Sequence, residues 1–324
     1  MKPSEYIIQC LERLKSKDIE PVAFDGELAD RIYQLLMSKK FRKYSVNPEY
    51  REHMLSAIKI NIAKNEPIKL VLVFGGYKLW RLPESPEVDW AEVFSLIYYT
   101  KWVKQILAIY KPGVWFDFYS DDVILEIMDN VPKEDTERYI SSFRKLLEFM
   151  KAYAPENMRF TLNRVGDHYK DYDDFKKDLE QCLAKKECEL MGMSLTPEQA
   201  AAVELNVKLK SGQAETPQWR ERVHLIHEAY VTVSERRPYY RVPDKIMVIT
   251  RQLKNTIAVG TTKRSVVKFW VGAGVLEKAG DAYVENIFSP KQLESAVFTK
   301  EPIDISGLDS KNFKEIRIVD KTKV

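Results

Sequence analysis

The run Ile68-Lys69-Leu70-Val71-Leu72-Val73-Phe74 constrains this chain more than any other stretch. It is apolar almost throughout, rich in Val and Leu, and of strand length, which predicts a strand buried on both faces. Beyond this run, helical and strand patterns take turns. Asp89 opens a helix with an apolar stripe of Phe94, Tyr98, Trp102, Ile106 and Ile109, and Lys111-Pro112-Gly113 ends it. Residues 114–119 read as a second strand, 133–153 as a long amphipathic helix and 158–165 as a third strand. Strand, helix, strand, helix, strand implies an α/β fold with a mostly parallel sheet flanked by helices.

The flanks differ from this middle. Residues 1–66 carry apolar side chains at helical spacing and read as a helical N-terminal cap. Residues 67–240 form the α/β core, with a charged helical insertion at 171–236 that contains the helix start GMSLTPEQ. Residues 241–324 form a strand-rich extension of the same domain, with strand candidates KIMVITR, NTIAVG, SVVKFWVG, DAYVENIF and EIRIVD.

Composition narrows the function classes. With 51 basic and 48 acidic residues the net charge is only +3, which argues against a nucleic-acid partner. The longest apolar runs are too short to cross a bilayer, and the N-terminal run lacks the form of a signal peptide. Cys10, Cys182 and Cys188 imply no disulfide framework, so a cytoplasmic location with no membrane partner is the expectation.

Chemistry-bearing residues gather around the first two strands. Gly75 and Gly76 end the first strand, where ligands bind in open α/β sheets, and Lys78 and Arg81 come next with positive charge for a phosphate or carboxylate. The spacing matches neither the dinucleotide nor the P-loop fingerprint. Asp89 and Glu92 stand three apart at a helix start. They suit acid/base work or an ammonium group, and they equally suit a capping box. Ser120, Asp121 and Asp122 close the second strand, where they can bind a sugar hydroxyl or divalent metal, or cap the next helix. No zinc motif accompanies His224 and His227, although His227 with Glu228 forms a candidate acid/base pair. The loop Gly260-Thr261-Thr262-Lys263-Arg264-Ser265 offers N–H groups, hydroxyls and cations suited to a phosphate, or is simply a hairpin loop. Arg251 adds a cation at the end of another strand candidate, and Lys39 to Lys43 form a further basic cluster.

The order of these residues resembles the isocyanide synthase family, also called the pyoverdine/dityrosine biosynthesis family. The resemblance rests on Lys78 after the first strand, Asp89 and Glu92 at a helix start, the helix end Ile106 to Gly113, and Ser120-Asp121 closing a strand. His227-Glu228-Ala229-Tyr230 and Arg251 come later in the expected order. The resemblance implies a Rossmann-like fold and an enzyme that needs no redox cofactor. Such an enzyme joins an amino acid's amine to the ketone of ribulose 5-phosphate, then fragments the sugar to an isonitrile. Lys78, Asp89, Glu92, Asp121 and His227 are the catalytic candidates. Gly75, Gly76, Arg81, Ser120, Asp122, Tyr230, Arg251, Thr262, Lys263 and Arg264 are the substrate-binding candidates. Two alternatives remain open: a nucleotide-sugar glycosyltransferase with a metal on Asp121 and Asp122, and a non-catalytic scaffold.

Overall fold

Three helices, α1 (Pro3–Lys15), α2 (Leu28–Leu36) and α3 (Pro48–Ala63), precede the first strand, β1 (Ile68–Phe74). Then come α4 (Trp90–Ile109), β2 (Val114–Ser120), α5 (Lys133–Lys151), β3 (Met158–Arg164) and α6 (Tyr172–Leu190). Two further strands, β4 (Lys245–Ile249) and β5 (Ile257–Ala258), complete the central sheet. The structure is a computed structural model. It describes residues 1–15, 26–75, 78, 85–123, 126, 131–169, 171–190, 197, 221, 224–226, 228–229, 232, 242–249 and 256–320.

The sheet order is β3-β2-β1-β4-β5, and every neighbouring pair is parallel. β1 lies at the centre, bonded to β2 on one side and β4 on the other, which is why its sequence is nearly all apolar. β1 is followed in sequence by β2 on one side and β4 by β5 on the other, so the strand order reverses between β1 and β4. The crevice beyond the carboxyl ends of these two strands is where ligands bind in such sheets.

The faces of the sheet differ sharply. Leu70, Leu72, Phe116, Phe118, Phe160, Ile246 and Val248 make one apolar face inside the main core. Trp102 of α4 and Phe143 of α5 pack on it, with rings 6.1 Å from Phe116 and 5.4 Å from Phe118 respectively. α3 packs on β1 and β4, and its Tyr50 hydroxyl donates to the Met247 carbonyl and accepts from the Met247 amide. Side chains alternate along a strand, so residues 115, 117 and 119 face the other way. There Asp117 is buried and accepts from Thr161 (2.7 Å), Asn163 (2.6 Å) and Lys245 (2.9 Å).

α4 ends where the sequence says it should. Gly113 sits at φ 77°, and a Cβ there would stand 1.7 Å from the Asn157 carbonyl oxygen, so only glycine fits.

A second sheet is ordered β7-β6-β9-β8, from β6 (Ala273–Ala279), β7 (Ala282–Phe288), β8 (Thr299–Pro302) and β9 (Glu315–Asp320). A short helix, α7 (Pro290–Ser295), comes after β7. The strand expected at SVVKFWVG is absent. Residues 265–272 form turns, with the amides of Val271 and Gly272 bonded to the Lys268 carbonyl. Phe269 and Trp270 are adjacent and both buried, whereas a strand would send them to opposite faces. The turn points both into the core. Among the described residues no helix is long and apolar enough to cross a membrane.

Candidate active site

The site is built on three strand ends in register. Phe74, Ser120 and Arg164 lie side by side as the last residues of β1, β2 and β3. Asp121 continues from β2, and its amide donates to the Phe74 carbonyl at 2.8 Å. A Cβ on Gly75 would stand 3.4 Å from the Asp121 Cβ, so the glycine end of β1 faces the first acid after β2.

Lys78 belongs to a sealed cluster beside this edge. It stands at φ 57°, a left-handed conformation that costs a non-glycine residue roughly 1–2 kcal/mol. Its amide donates to the Trp270 carbonyl, and its Nζ donates to the carbonyls of Phe269 and Gly272. The same Nζ lies 3.0 Å from Glu92 Oε1 and 3.4 Å from Asp89 Oδ1. Lys78 and Glu92 are fully buried, and Asp89 is 2% exposed. The Phe74 ring contacts Tyr139, Phe269 and Trp270, the residues that wall this cluster.

The capping role and the ion pair coexist. Asp89 accepts from the Ala91 amide (2.7 Å), and Glu92 accepts from the Asp89 amide (2.8 Å), a capping box at the start of α4. Asp89 also accepts from the Gly274 amide of β6 at 3.3 Å, and Tyr139 donates to Glu92 at 2.8 Å. β6 comes this close because residue 274 has no side chain: a Cβ there would stand 2.4 Å from the Trp90 backbone. Burial, reinforced by the Asp89 charge, pushes the Glu92 carboxyl up to about 7, against the opposing pull of Lys78.

A second cluster occupies the rim. Asp122 is fully buried, and Arg164 donates to its Oδ2. Arg164 also pairs with Glu137 at 2.5 Å, and Glu137 is 43% exposed. The other oxygen of Asp122, Oδ1, is buried with no hydrogen-bond partner among the described residues. Burial raises the Asp122 carboxyl to about 6, with Arg164 opposing.

Of the sequence candidates, the structure groups Gly75, Lys78, Asp89, Glu92, Ser120, Asp121 and Asp122 at this edge. Thr262, Lys263 and Arg264 lie elsewhere. The amides of Thr261 and Thr262 bond to the Ser265 carbonyl, so the loop closes on itself. The Thr262 hydroxyl accepts from the Ser265 amide, and Arg264 pairs with Glu277 at 2.5 Å. Lys263 lines a separate cavity to which Lys78, Asp89 and Glu92 contribute nothing. Gly76, Arg81, His227, Tyr230 and Arg251 lie outside the described residues. Asp122 is committed to Arg164, and among the described residues no group of three or more His, Cys, Asp or Glu side chains could hold a metal.

Three participants escape sequence reasoning. Tyr139 looks like one more apolar-face residue of α5. Arg164 carries a trace, as a cation at a strand end. Asp117 alternates out of an apolar run, which marks it for the opposite face without naming its partners Thr161, Asn163 and Lys245.

The sequence matches no protein-family model and no curated protein. By structure the chain is similar to the PvcA protein of Pseudomonas aeruginosa, with a TM-score of 0.63 at 14% identity. The superposition covers 91% of this chain and 100% of that one. The two share a fold. A tyrosyl-tRNA synthetase from Archaeoglobus fulgidus, solved with L-tyrosine, gives a TM-score of only 0.35 at 11% identity, over 68% of this chain and 54% of that one. That second likeness is too loose to bear on the site, whereas the PvcA likeness spans nearly the whole chain.

Proposed function

We propose that the chain is a small-molecule biosynthetic enzyme of the isocyanide-synthase kind, joining an amino acid's amine to the ketone of a sugar phosphate such as ribulose 5-phosphate. The supporting observation is the grouping of Gly75, Ser120, Asp121 and Asp122 at the carboxyl ends of adjacent central strands, in a fold shared with PvcA, a protein of the pyoverdine and isocyanide synthase family. Of these four residues the sequence resemblance rests on Ser120 and Asp121.

Condensation needs a proton taken from the attacking ammonium and another delivered to the departing hydroxyl. A carboxyl that titrates near neutral pH does both. Asp122 has that property, and its Oδ1 is uncommitted among the described residues. Asp121 is the proposed ammonium anchor. Lys78, Asp89 and Glu92 are tied to one another and to the carbonyls of Phe269 and Gly272, so their proposed part is to position the β1 turn and the start of α4. Arg81 and Arg251 remain the proposed phosphate cations, and His227 and Tyr230 the proposed partners on the amino-acid side.

Incubation with ribulose 5-phosphate and each aromatic amino acid, with products read by mass spectrometry, tests the reading. A product that depends on both substrates and falls sharply in Asp122→Asn is expected. No such product, together with no binding of the sugar phosphate, would overturn it.

A further inference from the structure

The two basic clusters that the sequence places more than two hundred residues apart meet in space. Lys40, from the Lys39 to Lys43 run, and Lys263, from the loop after β5, line one cavity of about 790 Å³. Its floor is aromatic: Phe41, Phe94, Tyr98 and Trp102, all 8% exposed or less. Lys101 and Lys104 of α4 add two more cations to the wall, against a single carboxylate, Glu285.

That carboxylate is already compensated. Glu285 pairs with Lys101 at 3.3 Å and accepts from the Cys10 thiol at 3.2 Å. Lys104 donates to the Arg13 carbonyl at 3.0 Å, a neutral acceptor. Lys40 lies over the Phe41 ring at 5.4 Å, and neither Lys40 nor Lys263 has a carboxylate partner among the described residues. The cavity therefore combines an aromatic lining with two lysines, Lys40 and Lys263, that no described carboxylate neutralises. Sites for small organic ligands are mostly apolar and of this size, with a few placed polar groups that fix orientation.

We propose that this cavity is a second binding site, for a small aryl anion whose ring enters the space lined by Phe41, Phe94, Tyr98 and Trp102 and whose carboxylate or phosphate meets Lys40 and Lys263. The site shares α4 with the strand-end site but none of its acidic residues. The inference does not rest on the proposed reaction. Asp122→Asn tests that reaction, and changes at Lys40 and Lys263 test only this cavity.

The fluorescent aryl anion anilinonaphthalene sulfonate is the probe, with uncharged phenylnaphthylamine as the control. The folded wild-type protein should bind the anionic dye at one saturable site. Lys40→Glu combined with Lys263→Glu changes exposed side chains, and should weaken that binding by about tenfold or more while leaving the circular dichroism spectrum and the neutral dye's affinity unchanged. Displacement by phenyl phosphate assigns a phosphate head group, and displacement by phenylpropionate a carboxylate. Displacement by neither, absence of saturable binding, or equal affinity of wild type and double variant would each overturn the proposal.

Discussion

Two charged clusters stand at the same edge of the central sheet, one sealed and one on the rim. Lys78, Asp89 and Glu92 are closed off by Tyr139, Phe269 and Trp270, and every polar atom described there is held by another part of the chain. Asp122, Arg164 and Glu137 use the same chemistry, but Glu137 is 43% exposed and Asp122 Oδ1 is unpartnered among the described residues. Under the proposed function, the difference assigns structural work to the first cluster and proton transfer to the second. A fully satisfied buried network holds a geometry, whereas a buried carboxylate oxygen without a partner leaves part of its hydrogen-bonding capacity unused.

The sealed cluster should fail most severely when one member is removed. Lys78→Met leaves two buried carboxylates and two carbonyls without their shared donor, a loss of roughly 3–5 kcal/mol in denaturant unfolding. A loss below about 1 kcal/mol would show that water reaches this cluster after all.

The pH dependence sharpens the contrast. Glu92 titrates higher in the folded protein, about 7, than when unfolded, so its contribution to stability is fully present below about pH 4.5 and is lost as pH rises toward 7. Over that window it amounts to roughly 3 kcal/mol. Glu92→Gln should flatten this part of the stability curve, read as unfolding free energy against pH. An unchanged slope would show that Glu92 does not titrate there. Asp122, raised to about 6, adds a decline of the same sign between about pH 4 and 6.

Gly274→Ala attacks the sealed cluster through its wall. The added Cβ would meet the Trp90 backbone at 2.4 Å, and backbone has little room to yield, so a loss of about 1–3 kcal/mol is expected. A variant as stable as wild type would show that β6 can retreat from α4.

The rim cluster should give the smallest stability effect and the largest functional one. Asp122→Asn keeps the shape and one acceptor for Arg164, so stability should change by about 1 kcal/mol. Product formation with ribulose 5-phosphate should fall by about a hundredfold or more if this carboxyl moves protons. Equal losses of activity in Asp122→Asn and a folded Lys78 variant would erase the distinction between the clusters.

Much of the frame is legible in the sequence because it depends on short-range patterning. β1, α4, β2, α5 and β3 follow from the period of their apolar residues, and the Asp89–Glu92 capping box from its spacing. The turn at 265–272 reads as a strand because Val266, Val267, Phe269, Trp270 and Val271 are as apolar as any strand, and composition alone cannot show that two neighbours point the same way. The sorting of the cations is not legible at all. Lys78, Lys263 and Arg264 are equivalent by residue type, yet one is fully buried, one lines a separate cavity and one is tied to Glu277. Arg164 reaches Asp122 across 42 residues, a contact only the register of β2 and β3 creates.

The carbonyls that receive Lys78 carry a consequence for how the chain matures. Gly272 lies 194 residues beyond Lys78. At ribosomal rates of roughly 5–20 residues per second, the lysine waits about 10–40 s for its acceptors to be made. During synthesis β1 and α4 can associate while the Lys78 turn stays open to water. The turn closes only when the Phe269–Gly272 segment arrives, which makes the sealing of this cluster a late event in biogenesis.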